Sequence, residues 1–404
     1  MIEPNGERVP VLIHRPSGLP HFDGNLFALT MLRMRGRAAA TVEHGLRAIG
    51  LLADFQQLHQ IDIRARMAAG RLFMSHEIDA LPVYLHKNLL AVPESHLGNN
   101  AVVVRLQGVR RHKQSGVQSE VAATRLSYAA QYLEWRTDDV LRDLRLTPTA
   151  AARLAQTVAR DIKALRVRRP VGGIPVSRRQ SLTKDQKALV LELTDVANLK
   201  GPWKSEFVKH RNSLAVRWLL ALGLRRGELL GVALEHLNLQ ASTVDIVLRP
   251  DDLSDPRRRQ PNAKTRARRL ELPKDLALAT HDYITAWRSR IKATKKHGFL
   301  FVGQSGVPLS VDGLASTFID IRRAAEGRLP ALTAHVLRYT WNDEFSEYCD
   351  RHGVQPNDER RLREYLMGWA PDSEAAAIYT KRHIEEKARQ ALLKMSQRDS
   401  DQPT

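Results

Sequence analysis

A single cysteine, Cys349, stands in 404 residues. One thiol closes no internal disulfide and builds no cysteine zinc site, which excludes a disulfide-stapled scaffold. Cys349 reads as a small core residue on a helix. Long apolar runs are also missing, and none approaches the roughly 18 residues that would cross a bilayer. The segment MIEPNGERVPVLIH lacks a basic region followed by an apolar one, so no secretory signal and a cytoplasmic location are expected. Acidic residues are in short supply: 44 Asp and Glu face 63 Lys and Arg, a formal net charge of +19. A surplus that large calls for a polyanionic partner, nucleic acid first and an anionic membrane surface second.

The chain is too long for one ordinary core, so two or three domains are expected. Residues 1–30 read as an arm or extension with a short β-like lead, in which Val9, Val11 and Ile13 alternate with other residues before Pro16, Gly18 and Pro20. Residues 31–167 read as a helical domain. A helix over 41–60, capped by Thr41, puts Val42, Leu46, Ile49 and Leu52 on one face. Further helices are predicted over 75–86, 120–136 and 148–167, the last capped by Thr147 with Pro148 in its first position. Val102 to Leu106 and the basic run Arg110-Arg111-His112-Lys113 lie between them. Residues 168–180, RRPVGGIPVSRRQ, form a basic linker rich in Pro and Gly.

The second domain, 181–404 with a C-terminal tail, opens on a capping box of Thr183 and Gln186. The helix behind it carries Leu189, Val190, Leu193 and Val196. A helix over 206–222 groups Leu214, Trp218 and Ala221. Strands are expected at 243–248 and near Leu270 and Leu272, giving a small sheet, and helices at 311–326, 334–350, 358–367 and 374–395. The fold class is mainly α with a small β-sheet. Asp251 to Arg259 reads as an extra basic loop, and Asp350 to Arg361 as an insertion.

Chemistry concentrates between His335 and His383. His335 and Arg338 are three apart, so on a helix they face one way. Trp369 follows Leu366-Met367-Gly368, and Tyr379 comes ten residues later. Upstream, ALGLRRGELLGV holds Arg225 and Arg226. A tyrosine oxygen, two guanidiniums, an imidazole and an indole donor suit attack on a phosphodiester. Guanidinium is always charged and its planar fork matches two phosphate oxygens. Tyr339, Tyr348 and Tyr365 compete with Tyr379 as nucleophile.

These residues resemble the boxes of the tyrosine recombinases, the phage-integrase-type site-specific recombinases. Gly223, Leu224, Arg225, Glu228 and Leu229 match the first box. His335, Leu337, Arg338 and Thr340 match the second. Leu366, Met367, Gly368, Trp369 and Tyr379 match the third. The resemblance covers roughly residues 180 to 390, and the ordered set is far more specific than any one box. It implies a helical, SAM-like core-binding domain ahead of a mixed α+β catalytic domain. It favours Arg225 over Arg226 and Tyr379 over its competitors. It gives Lys264, followed by Thr265, the role of general acid toward the leaving 5′-oxygen, with Arg266, Arg268 and Arg269 crowded around it; the plainer alternative is that this run is a solvated DNA-backbone contact. Glu228 would orient Arg225, and Trp369 would bind phosphate or buttress the tyrosine.

The implied reaction is cleavage and rejoining of double-stranded DNA through a 3′-phosphotyrosine. It needs no cofactor and no metal, and it runs in a homotetramer on two sites, in an integrase of a mobile element. The C-terminal apolar stripe of Ala388, Leu392 and Leu393 would dock on a neighbouring subunit or on its own domain. Two other readings stand beside this one: a DNA-binding protein of the same fold without catalysis, and a type IB topoisomerase that relaxes DNA without a specific site.

Overall fold

The computed structural model describes residues 6–14, 17–87, 116–143, 146–170, 181–249, 251–261, 265–329 and 331–370. The runs 102–106 and 110–113, most of the linker and the 374–395 helix therefore lie outside the described residues. The chain forms two compact units, Met1–Ser177 and Arg178–Thr404.

In the first unit, α1 (Phe22–Phe27) runs into a π-helical turn at Ala28–Arg33, followed by α2 (Ala39–Leu58), α3 (Ile63–Ala68), α4 (Ser75–Leu85), α5 (Ser119–Asp143) and α6 (Pro148–Val167). Leu46, Ile49, Leu52 and Phe55 of α2 meet Leu126, Ala130 and Leu133 of α5 and Leu154 and Ile162 of α6 in one core. α6 starts as its sequence dictates. The Thr147 side chain accepts from the Ala150 amide, and Pro148 spends no backbone donor in the first turn. α2 starts two residues before Thr41, because Ala38 already holds the extended cap conformation and alanines make good helix. α5 outruns its predicted end at 136, carrying Val140 into the core.

The β-like lead is a correction. Among the described residues between 6 and 30 there are isolated bridges, Ile13 to Pro20 among them, and no strand. Residues 22–27 are helical and Phe27 is fully buried. The Asn25 side chain accepts from the Leu12 amide and donates to its carbonyl, both at 2.8 Å, which folds this segment onto the unit.

The second unit is mainly helical around a three-stranded antiparallel sheet. α7 (Lys184–Thr194), α8 (Glu206–Leu222) and α9 (Arg226–Gly231) precede β1 (Leu237–Asn238), β2 (Thr243–Ile246) and β3 (Arg268–Glu271). The strand order is β1-β2-β3, with Val244 opposite Leu270. α10 (Lys274–Asp282), α11 (Val311–Ala324), α12 (Ala334–Arg351) and α13 (Pro356–Met367) follow. The Thr183–Gln186 capping box forms in both directions. Val196 lies past the end of α7 and Ala221 is exposed, so neither joins the core face assigned to it. Trp218 is fully buried in α8, and its indole donates to Thr280 Oγ1 at 3.0 Å.

Two loops differ from expectation. In Asp251 to Arg259, Arg257 turns inward. It pairs with Asp255 at 2.8 Å, donates to the Leu230 and Leu309 carbonyls, and lies 4.5 Å from the Phe299 ring centre. A run of arginines reads as solvated surface, yet this one ties a loop to the core. The stretch Asp350 to Arg361 is a helix-turn-helix junction. Gly353 turns the chain at φ +62°, and Pro356 then starts α13 two residues before its predicted beginning.

Candidate active site

Two glycines in left-handed conformation shape the site. Gly223 ends α8 at φ +60°, and a Cβ there would lie 2.8 Å from Trp341. Gly368 ends α13 at φ +65°, and a Cβ there would lie 2.6 Å from Arg268 Nη1 and 2.9 Å from Thr265 Cβ. Only glycine allows both the backbone angle and the close approach.

Gly223 aims the chain into Arg225, the N-cap of α9. Its amide donates to Glu228 Oε2 at 2.8 Å, so the glutamate caps the helix start. The Arg225 side chain donates to the Met367 carbonyl at 3.3 Å, whereas Arg226 is exposed on the first turn. Position on the cap, rather than charge, separates the two arginines.

Arg338 sits in α12 with 1 % of its surface exposed. It donates to the Gly223 carbonyl at 2.6 Å and the Met367 carbonyl at 3.3 Å, and its guanidinium lies 5.6 Å from the Trp369 ring centre, within cation–π range. Trp369 is buried, and its amide donates to the Glu364 carbonyl. The Asn342 side chain donates to the Arg338 carbonyl at 2.8 Å, and Arg363, fully buried, donates to both Asn342 oxygens and to Ser346. Thr340 does structural work: its hydroxyl accepts from the Leu182 amide at 2.9 Å.

Glu228 lies at the centre of this charge, 2 % exposed. Arg268 donates to its two oxygens at 3.2 and 3.0 Å, and Thr265 donates to Oε1. Arg225 and Arg338 stand 3.7 and 3.8 Å away. Burial works to raise the Glu228 carboxyl, but the Arg268 charge and hydrogen bonds, with Arg338 and Thr265, outweigh it and hold the group below the usual carboxylate range.

His335 lies one helical turn before Arg338, with its ring edge-on to Tyr339 at 4.4 Å. The residue is exposed. Partial loss of water around the ring, then the charges of Arg338 and Arg225, lower its proton affinity. A neutral imidazole can accept a proton or donate its one N–H at pH 7.

The structure thus brings Arg225, Glu228, His335, Arg338 and Trp369 into one neighbourhood. Lys264 and Tyr379 lie outside the described residues. The nearest described neighbour of Lys264, Thr265, is buried on Glu228, and the Arg266 amide donates to the Gly368 carbonyl at 2.9 Å. Arg268 is buried on Glu228, against the alternative that its run is a solvated DNA-backbone contact, and sequence reasoning gave it no role in the site. A period-2 signal was there to find: Arg268, Leu270 and Leu272 alternate and all three are buried. No group of acidic, His and Cys side chains that could hold a metal ion occurs among the described residues. No helix among them is long and apolar enough to cross a membrane.

The family match places the second unit in the class of the tyrosine recombinases. Residues 189–386 match the model of the phage integrase family, so the second unit carries a domain of that family. No curated protein matches the chain. Among solved structures, XerA recombinase is 20% identical over 65% of this chain and 82% of its own, with a TM-score of 0.39. Tn1549 transposon integrase in complex with circular intermediate DNA is 15% identical over 65% and 75%, with a TM-score of 0.41. A lambda integrase tetramer bound to a Holliday junction is 12% identical over 88% and 78%, with a TM-score of 0.45.

Proposed function

We propose that this protein recombines double-stranded DNA at specific sites, as the integrase of a mobile element. The observation that carries the reading is the convergence of Arg225 and Arg338, from separate boxes, on one carbonyl beside Trp369. Two guanidiniums held this close stabilise the charge that grows on a phosphate as it becomes five-coordinate. Tyr379 gives up its phenol proton, to the neutral imidazole of His335 or to water, its oxygen attacks phosphorus, the bond to the 5′-oxygen breaks, and a 3′-phosphotyrosine and a 5′-hydroxyl result. Lys264 gives the leaving oxygen its proton. A phenol with an ordinary pKa near 10 needs the arginine charges to favour its phenolate. Rejoining reverses the attack, so the bond energy is kept and neither ATP nor a metal is consumed. His335 and Trp369 donate to phosphate oxygens. In this reading the first unit is the core DNA-binding domain. Four protomers act on two sites in the cytoplasm.

The test uses DNA nicked next to candidate sites from the flanks of the gene. An SDS-resistant adduct with the natural protein and none with Tyr379→Phe supports the reading. Tight binding without any adduct supports a DNA-binding protein of the same fold, and sequence-independent plasmid relaxation supports a topoisomerase.

A further inference from the structure

We infer that Arg268 is a positioning residue of this site, holding Glu228 so that the carboxylate does not draw Arg225 and Arg338 out of place. The inference rests on the recombinase reading above and deepens it.

Arg268 opens β3 with its side chain 1 % exposed against a Glu228 side chain that is fully buried. The pair is bidentate, at 3.0 and 3.2 Å. Its Nε donates to the Leu366 carbonyl at 2.7 Å, tying the strand to the end of α13. One guanidinium therefore grips the glutamate of the first box and the backbone of the third. Arg225 and Arg338 stand 3.7 and 3.8 Å from the same carboxylate, beyond hydrogen-bonding distance but within ion-pair range. Burial and charge make the difference matter. A buried carboxylate that loses its closest cation takes the next one. Without Arg268, Glu228 would close on Arg225 or Arg338, and a shift of about 1 Å at a reacting centre costs on the order of 100-fold in rate. Thr265, one residue after Lys264, also donates to Glu228, so Arg268 holds the carboxylate together with a neutral hydroxyl.

The experiment measures single-turnover cleavage of a nicked site, and DNA affinity, for the natural protein, Arg268→Gln, Glu228→Gln and the double variant. Arg268→Gln is expected to cleave roughly 10- to 100-fold more slowly while binding DNA within about 3-fold of the natural protein. Removing the carboxylate charge as well should restore cleavage, with the double variant about 5-fold or more faster than Arg268→Gln. A purely structural Arg268 predicts the opposite, a double variant no faster than the single one, and that result overturns the inference. So does an Arg268→Gln protein that cleaves normally. If Arg268→Gln does not fold, Arg268→Lys with and without Glu228→Gln carries the same comparison, since lysine keeps the charge but not the fork. Absence of any Tyr379-dependent adduct in the natural protein would sink the recombinase reading itself and this inference with it, a failure visible without any Arg268 variant.

Discussion

Arg225 and Arg338, 113 positions apart in the chain, both donate to the carbonyl of Met367 at 3.3 Å. That one oxygen is fixed by the end of α13, where Gly368 turns left-handed. The first, second and third boxes therefore meet at a single backbone atom.

Gly368→Ala should damage both stability and cleavage. The left-handed angle alone costs a residue with a Cβ about 1–2 kcal/mol. The new methyl would also press on Arg268 Nη1 and Thr265. Urea denaturation should show a loss beyond the backbone cost, and cleavage should fall in the folded fraction. Stability equal to that of the natural protein would contradict this packing.

Arg225 and Arg226 should behave differently under the same substitution. Arg225→Gln is expected to lower single-turnover cleavage about 100-fold or more, the scale of losing one preorganised donor. Arg226→Gln, on an exposed position, should change it by no more than a few-fold. Equal losses would return the choice between them to open.

Arg363 pins α12 to α13 from full burial, through Asn342, Ser346 and Glu359. Arg363→Leu leaves the Glu359 carboxylate and the Asn342 oxygens without it. Breaking a buried pair from one side costs about 3–5 kcal/mol. Chemical denaturation should show a loss on that scale, and a change below about 1 kcal/mol would place Arg363 among dispensable surface pairs.

The pH dependence of stability should carry the mark of Glu228. Its folded carboxyl is held below the ordinary value of 4.5, so the folded state favours the charged form. The contribution is complete above pH 4.5 and is lost as pH falls through the lower folded value. Stability curves of the natural protein and Glu228→Gln should therefore differ by a constant amount at neutral pH and converge below pH 4.5. Curves that stay parallel down to pH 3 would rule out the depressed carboxyl.

Arg257→Ala should weaken the second unit while Arg258→Ala should not. Arg257 holds Asp255 and two backbone carbonyls, and a hydrogen bond to a charged group contributes about 1.5–3 kcal/mol. Arg258 is exposed, and its loss should appear instead as a shallower salt dependence of DNA binding.

What the sequence by itself determined is local or ordered along the chain. Thr147 with Pro148, and Thr183 with Gln186, mark helix starts because a cap is satisfied within four residues. The three boxes name Arg225, Arg338 and Trp369 in order, and the chemistry of phosphate makes those residue types meaningful. Tertiary structure decided which charges go inside. Arg257, Arg268 and Arg363 look in sequence like the other arginines of a basic chain. Each side chain is drawn inward because a partner far away in sequence, or a turn of the backbone, supplies the oxygens that replace water: Leu309 for Arg257, Glu228 and Leu366 for Arg268, Asn342 for Arg363. Desolvation of a guanidinium is tolerated only where such oxygens converge, and convergence is a property of the folded chain.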